Sequence, residues 1–202
     1  WVAVRIPDNA NCAHANQARI TTIPQGKAKL TKEQKRLQKE LNCICHGDWM
    51  YSQDVISFAR EKGYFTGADK DFSYQAAYCP FDFSGLFVCE ARVWSFFRHF
   101  SNQMDQYYDY AIGHTYKATE GKDEGEHMPL WIVPNHKVSV QEMKDCMRDE
   151  YKGTPIDITQ GIDAGPWNSK LRYGSLGFQL DSVQYWFERP IATQQTAWSF
   201  VA

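Results

Sequence analysis

The first six residues, Trp1-Val-Ala-Val-Arg-Ile6, carry β-branched side chains at a period close to two, which predicts a strand. Pro7-Asp-Asn-Ala-Asn11 then supplies turn chemistry, so a hairpin is expected with Asn16 late in the returning strand or just past it. From Thr31 the pattern turns helical up to Leu41, with Leu30, Leu37 and Leu41 as a narrow apolar stripe on a surface helix. Ser52 reads as the cap of a second helix from Gln53 to Lys62, ended by Gly63, with Val55, Ile56 and Ala59 facing the core.

Tyr64 to Ser84 is aromatic and turn-rich and predicts a long packed loop. Leu86, Cys89, Val93, Phe97 and Phe100 fall at helical spacing and predict a largely buried helix. Its polar exceptions, Arg92, Ser95 and His99, share one face, and a polar stripe on a buried helix needs partners or a cavity. Residues 119–127 read as a flexible loop, and Pro129 to Pro134 as a short strand fenced by prolines. Ser139-Val-Gln-Glu142 is a capping box for a helix expected to reach Tyr151 and stop at Gly153. Thr154 to Ser175 is rich in Gly, Pro and Asp and predicts irregular loops. Leu176 to Glu188 and Ile191 to Val201 return to strand composition, as a hairpin or bent pair. Strands, then helices, then strands suggest an α+β fold with antiparallel sheet.

At 202 residues the chain suits one domain, and 43% hydrophobic residues are enough to build a core. A net charge of -2 offers no reason to invoke a nucleic-acid partner or an anionic membrane. No apolar run approaches the roughly 20 residues that span a bilayer. The basic cluster from Lys27 to Lys39 reads as a solvated helix face. Both ends lie in strand pattern, which suggests an excerpt from a longer protein, its unpaired edges open to aggregation or to pairing in a homo-oligomer. Six cysteines at irregular spacing do not form a disulfide scaffold, and they do not decide the compartment. Cys43-Ile-Cys45-His46 has metal-ligand residue types, but one residue between the cysteines is too few for a zinc knuckle and no second ligand pair follows.

The run Cys12-Ala-His-Ala-Asn-Gln17 holds the most informative residue. A side-chain amide at a strand end can aim its Nδ2 donor at one point, as an oxyanion requires. An Asx-turn at Asn16 fits the same spacing.

An ordered series of motifs resembles the cysteine-nucleophile dipeptidases similar to dipeptidase A, within the N-terminal nucleophile hydrolases. It starts with Trp1 to Asp8 and His14-Ala-Asn-Gln17. Ser52 to Ala59, Lys62-Gly-Tyr64, Asp71-Phe-Ser-Tyr74 and Ala77-Tyr78 follow. Ala91-Arg-Val-Trp94, Pro129-Leu-Trp131, Met147 to Pro155 and Arg189-Pro-Ile191 complete it. The resemblance implies a four-layer αββα sandwich, here partial: residues 1–202 would be the central part of a larger catalytic domain. It implies hydrolysis of dipeptide amide bonds through a thioester, with broad side-chain tolerance and no metal or cofactor. In that family the nucleophile is an N-terminal cysteine. Trp1 is not one, so the nucleophile is expected upstream, and this chain alone is expected to be inactive.

By the same resemblance Asn16 is the oxyanion donor and Arg92 the arginine near the nucleophilic sulfur, although a salt bridge to Glu90 would also account for Arg92. His14 and Gln17 beside Asn16 are the substrate-binding candidates, with an ordinary core role open for His14. Arg148, Asp149 and Thr154 match without a role beyond a helix end, and Thr193-Gln-Gln-Thr196 fits either substrate contacts or an exposed strand. The partners expected are a dipeptide and the missing N-terminal part of the same protein. Two rival readings remain: an amidase acting on N-acyl compounds, and a non-catalytic domain binding peptide or carbohydrate through its aromatic residues.

Overall fold

A computed structural model describes residues 1–171 and 177–201. In chain order it begins with β1 (Val2–Val4), β2 (Asn11–Cys12), α1 (Lys32–Leu41), β3 (Cys43–His46) and β4 (Trp49–Ser52). α2 (Val55–Glu61), α3 (Tyr74–Tyr78), α4 (Ala91–Arg98) and α5 (Tyr108–Ala111) follow. Then come β5 (Tyr116–Lys117), β6 (Lys122–Asp123), β7 (Trp131–Ile132), α6 (Val140–Cys146), β8 (Gly177–Leu180) and β9 (Val183–Trp186). Small antiparallel sheets combined with helices agree with the expected α+β class. Among the described residues no helix is long and apolar enough to cross a membrane.

The expected first hairpin does not form. Its turn is there, with the Ala10 N–H donating to the Pro7 carbonyl at 3.0 Å. The strands on either side of it nevertheless part company. Val2, Ala3 and Val4 pair with Tyr51, Met50 and Trp49, so that β4 lies between β1 and β3. β2 pairs instead with β7, Asn11 opposite Ile132 and Cys12 opposite Trp131. The β3–β4 hairpin closes through only Gly47 and Asp48, with Gly47 at φ 59°. So short a loop costs little entropy, and the hairpin offers β1 a ready edge longer than the two residues of β2.

Capping chemistry places the helices. Thr31 Oγ1 accepts the Gln34 N–H at 3.1 Å while Gln34 Oε1 accepts the Thr31 N–H at 3.0 Å, and α1 buries none of its residues. α2 starts later than expected because Ser52 ends β4, where its N–H donates to the Trp1 carbonyl at 3.0 Å. Inside the expected loop of residues 64–84, Ser73 caps the short α3 by accepting the Ala76 N–H at 3.2 Å. Five aromatic-rich residues are too few to show a helical period. α2, α3 and the first sheet enclose a small core of Ile23, Tyr51, Val55, Ala59, Phe72 and Ala77.

The buried helix expected from Leu86 begins as a π-helical turn, Gly85–Glu90, and continues without a break as α4. It is the spine of the main core, where Leu86, Trp94 and Phe97 pack with Phe100, Met104, Ile132 and Tyr151. Residues 119–127 are spanned in part by a hairpin, Tyr116 opposite Asp123 and Lys117 opposite Lys122. α6 opens on the expected capping box, with Ser139 accepting the Glu142 N–H at 3.2 Å and Glu142 accepting the Ser139 N–H at 2.7 Å. It ends at Cys146, short of the expected Tyr151, because Tyr151 takes a left-handed φ of 62° to bury its ring and donate its hydroxyl to the Arg189 carbonyl at 2.8 Å. β8 and β9 form a hairpin over Asp181 and Ser182, both at positive φ, within the span expected to be a single strand, so the turn lies there and not at Arg189-Pro190. Residues 191–201 do not form the expected second strand, and residues 172–176, where loop and strand were expected to meet, lie outside the described residues.

Candidate active site

Asn16 lies exposed in a bend just beyond β2, and Arg92 projects from the first turn of α4. The two meet across 76 residues of chain, with Arg92 Nη2 donating to Asn16 Oδ1 at 2.9 Å. A guanidinium has no acceptor, so this contact also settles which way the amide points. Oδ1 faces the arginine and Nδ2 faces away, and among the described residues nothing accepts from it. Arg92 is held in turn by its Nε, which donates to the Val88 carbonyl at 2.8 Å, and its Nη2 reaches Cys89 Sγ at 3.7 Å. The result is a fixed cation with a fixed amide donor in front of it.

Beside Arg92 is a cavity of about 320 Å³ bordered by Ala13, His14, Arg92, Phe96, Met147 and Ile191, with Asn16 close to that border in sequence but not part of it. His14 is exposed at its edge. Gln17 departs from expectation: it is buried, does not border the cavity, and its Nε2 donates to the Cys79 carbonyl at 2.6 Å. A Cβ at Gly85 would run into Gln17 Oε1, so a glycine there makes room for the amide. Its amide links the Asn16 segment to the end of α3.

The polar stripe of the buried helix has its partners. Ser95 donates to Asp149 Oδ2 at 2.6 Å, and His99 Nε2 lies 3.4 Å from Asp149 Oδ1. Burial opposes ionisation of Asp149, but the hydrogen bonds from His99 and Ser95 prevail and hold its carboxyl below the ordinary range. Asp149 thereby pins the segment that carries Met147 against α4. Arg148 donates to the Lys144 carbonyl at 3.2 Å, the helix-end role expected for it.

Arg92 does not pair with Glu90. Arg19 does, with both side chains almost fully buried, and its Nε lies 3.0 and 3.2 Å from the two carboxylate oxygens. Tyr110 adds its hydroxyl to Glu90 Oε2 at 3.1 Å. The Arg19 guanidinium also donates to the Leu130 carbonyl at 3.1 Å and to that of Pro129 at 2.9 Å. Glu90 precedes Arg92 by two residues and Arg19 follows Asn16 by three, so the ion pair clamps together the two segments that carry the site. A signal for it existed in the sequence: Arg19 stands between Ala18 and Ile20, and Glu90 between Cys89 and Ala91, each a single charge in apolar surroundings that demands a partner.

Cys43 and Cys45 share one face of β3 with their sulfurs 4.0 Å apart. No group of three or more His, Cys, Asp or Glu residues is placed to hold a metal among the described residues.

Residues 1–202 match the model of Peptidase family C69. A protein of Salmonella dublin described as a probable dipeptidase is 24% identical over 157 residues, which cover 78% of this chain and 29% of that protein. The matched stretch thus spans less than a third of the relative's length. No solved structure matches. Since the family match runs from the residues of β1 through Asn16 and Arg92 to the last residue, the chain belongs to peptidase family C69.

Proposed function

We propose that this chain carries the oxyanion-binding part of a cysteine-dependent dipeptidase whose nucleophile precedes Trp1 in the whole protein. The observation that supports this reading most strongly is the contact from Arg92 to Asn16, which leaves Nδ2 as a preset donor next to an arginine that itself borders an open cavity. In the reaction, the cysteine sulfur attacks the amide carbon of the dipeptide and its proton passes to a base, the α-amino group of that cysteine. The carbonyl oxygen becomes an oxyanion, which accepts a hydrogen bond from Asn16 Nδ2. The tetrahedral species collapses to a thioester and the C-terminal amino acid leaves with a proton on its nitrogen. Water then attacks the thioester carbon, releasing the second amino acid and restoring the thiol. Arg92 orients the Asn16 amide and adds positive charge that favours thiolate and oxyanion alike. Cys89 is near Arg92 but buried in the π-helical turn, and in this reading it is not the nucleophile. The sheet of β1, β4 and β3 and the β2–β7 pair belong to the two stacked sheets of an αββα sandwich completed by the rest of the protein.

The test is Asn16→Ala in the full-length protein, assayed on a panel of dipeptides and N-acyl amino acids. A fall in kcat of roughly a hundredfold or more is expected on dipeptides. A variant with unchanged kcat would remove Asn16 from the mechanism, and turnover of N-acyl compounds alone would move the substrate class to the acylases.

A further inference from the structure

A second cavity also adjoins the Ala13–His14 segment, and these two residues border both cavities. Its volume of about 440 Å³ suits a small organic group. Val2, Val4, Ala18, Ile20 and Leu130 supply most of its wall, and Ile6 stands at it, 39% exposed. Its polar members have little to offer a ligand. The Arg19 charge is neutralised by Glu90, and its remaining N–H groups are taken by backbone carbonyls. The Cys12 thiol donates to the Leu130 carbonyl at 3.4 Å, and burial pushes its pKa up, so it stays uncharged at neutral pH. The exceptions are His14, at the shared edge, and the uncharged Tyr74 hydroxyl.

A charged group entering this cavity would lose its hydration and find no free counter-charge, whereas an aliphatic or aromatic group would gain by leaving water. His14 is two residues from Asn16, so the second cavity opens on the segment that carries the proposed oxyanion donor.

We propose that this cavity is the subsite for one side chain of the dipeptide and selects an apolar one, of the size of leucine, methionine or phenylalanine. The inference rests on the dipeptidase reading, which it sharpens from any dipeptide to those with an apolar residue in one position. Placing such a side chain in the cavity is expected to raise kcat/KM roughly tenfold to a hundredfold over glycine in the same position.

The experiment compares kcat/KM of the full-length protein for Leu-Ala, Ala-Leu, Gly-Ala, Ala-Gly, Asp-Ala and Ala-Asp, in wild type and in two variants. Ala18→Leu fills the cavity and is expected to cut the leucine-to-glycine ratio tenfold or more in the position it serves. Ile6→Lys places a cation at a half-exposed position and is expected to move preference from leucine toward aspartate. In parallel, leucine amide is titrated calorimetrically into wild type and Ala18→Leu protein. Selectivity ratios that stay within twofold in both variants overturn the subsite while leaving the dipeptidase reading in place. If no dipeptide is hydrolysed, the dipeptidase reading falls. In that case, leucine amide that binds wild type and fails to bind Ala18→Leu still upholds the apolar site, and leucine amide that ignores the substitution overturns it.

Discussion

Arg19→Met keeps most of the length of the side chain and removes the fork that holds Glu90 and the carbonyls of Pro129 and Leu130. The Arg19 and Glu90 side chains are 4% and 1% exposed, so water cannot replace what the arginine provided. Removing one partner of a buried ion pair costs about 3–5 kcal/mol, a large share of the ~5–15 kcal/mol that keeps a domain folded. Tyr110 supplies Glu90 with one remaining donor, and the methionine stem preserves some of the packing over the Phe97 ring, where the guanidinium now sits 5.4 Å from the centroid. Both effects favour the lower half of the range. At ~2–4 °C per kcal/mol for a chain of this size, a melting temperature lower by about 6–16 °C is expected.

The assay is urea denaturation of the full-length protein followed by tryptophan fluorescence, for which the chain has seven reporters. The double variant Arg19→Met/Glu90→Leu is measured alongside it. Because it leaves no uncompensated charge, it is expected to recover much of the loss. A single variant within about 1 kcal/mol of wild type would refute the reasoning, since that is no more than a surface pair is worth. A double variant no more stable than the single would show that the loss came from packing and not from the orphaned carboxylate.

Asp149→Asn is expected to cost about 1–3 kcal/mol at neutral pH, read by thermal melting, because the charge-assisted bonds from Ser95 and His99 are weakened. The wild-type carboxyl is depressed in the folded state, so its contribution is full above the ordinary aspartate value of roughly 3.9 and is lost as pH falls through the lower folded value. An acid titration of stability therefore loses that part of its slope in the variant, and an unchanged acid limb would contradict the assignment. Gly85→Ala drives a Cβ against Gln17 Oε1 and is expected to destabilise by about 1–3 kcal/mol in chemical denaturation. Gly85→Ala combined with Gln17→Ala is expected to regain part of that loss, and a Gly85→Ala protein as stable as wild type would mean that the amide moves aside freely.

The parts of this fold legible in the sequence are those decided within one turn of chain. The Thr31 cap, which proves to be a full capping box, and the Ser139 capping box each close over three residues and form where expected. So does the turn at Pro7, whose hydrogen bond is equally local. The start of the buried helix at Leu86 was legible too, though not its π-helical register. The strand after the Pro7 turn went elsewhere because pairing depends on which edge is available once the chain is folded, and the β3–β4 hairpin supplies a longer edge to β1. α6 stops early for the same kind of reason, since Tyr151 gains more by burial and by its bond to Arg189 than by one more helical turn.

The sequence by itself determined the residue types with the right chemistry, an asparagine amide and an arginine, and the ordered motifs that relate the chain to its family. Only the tertiary structure decided that Arg92 turns to Asn16 and not to Glu90, that Arg19 takes Glu90, and that Gln17 spends its amide on a buried carbonyl. A side chain's chemistry travels with its residue, but its partner is set by distances across 62 to 76 residues of chain, which come into being only when the core closes.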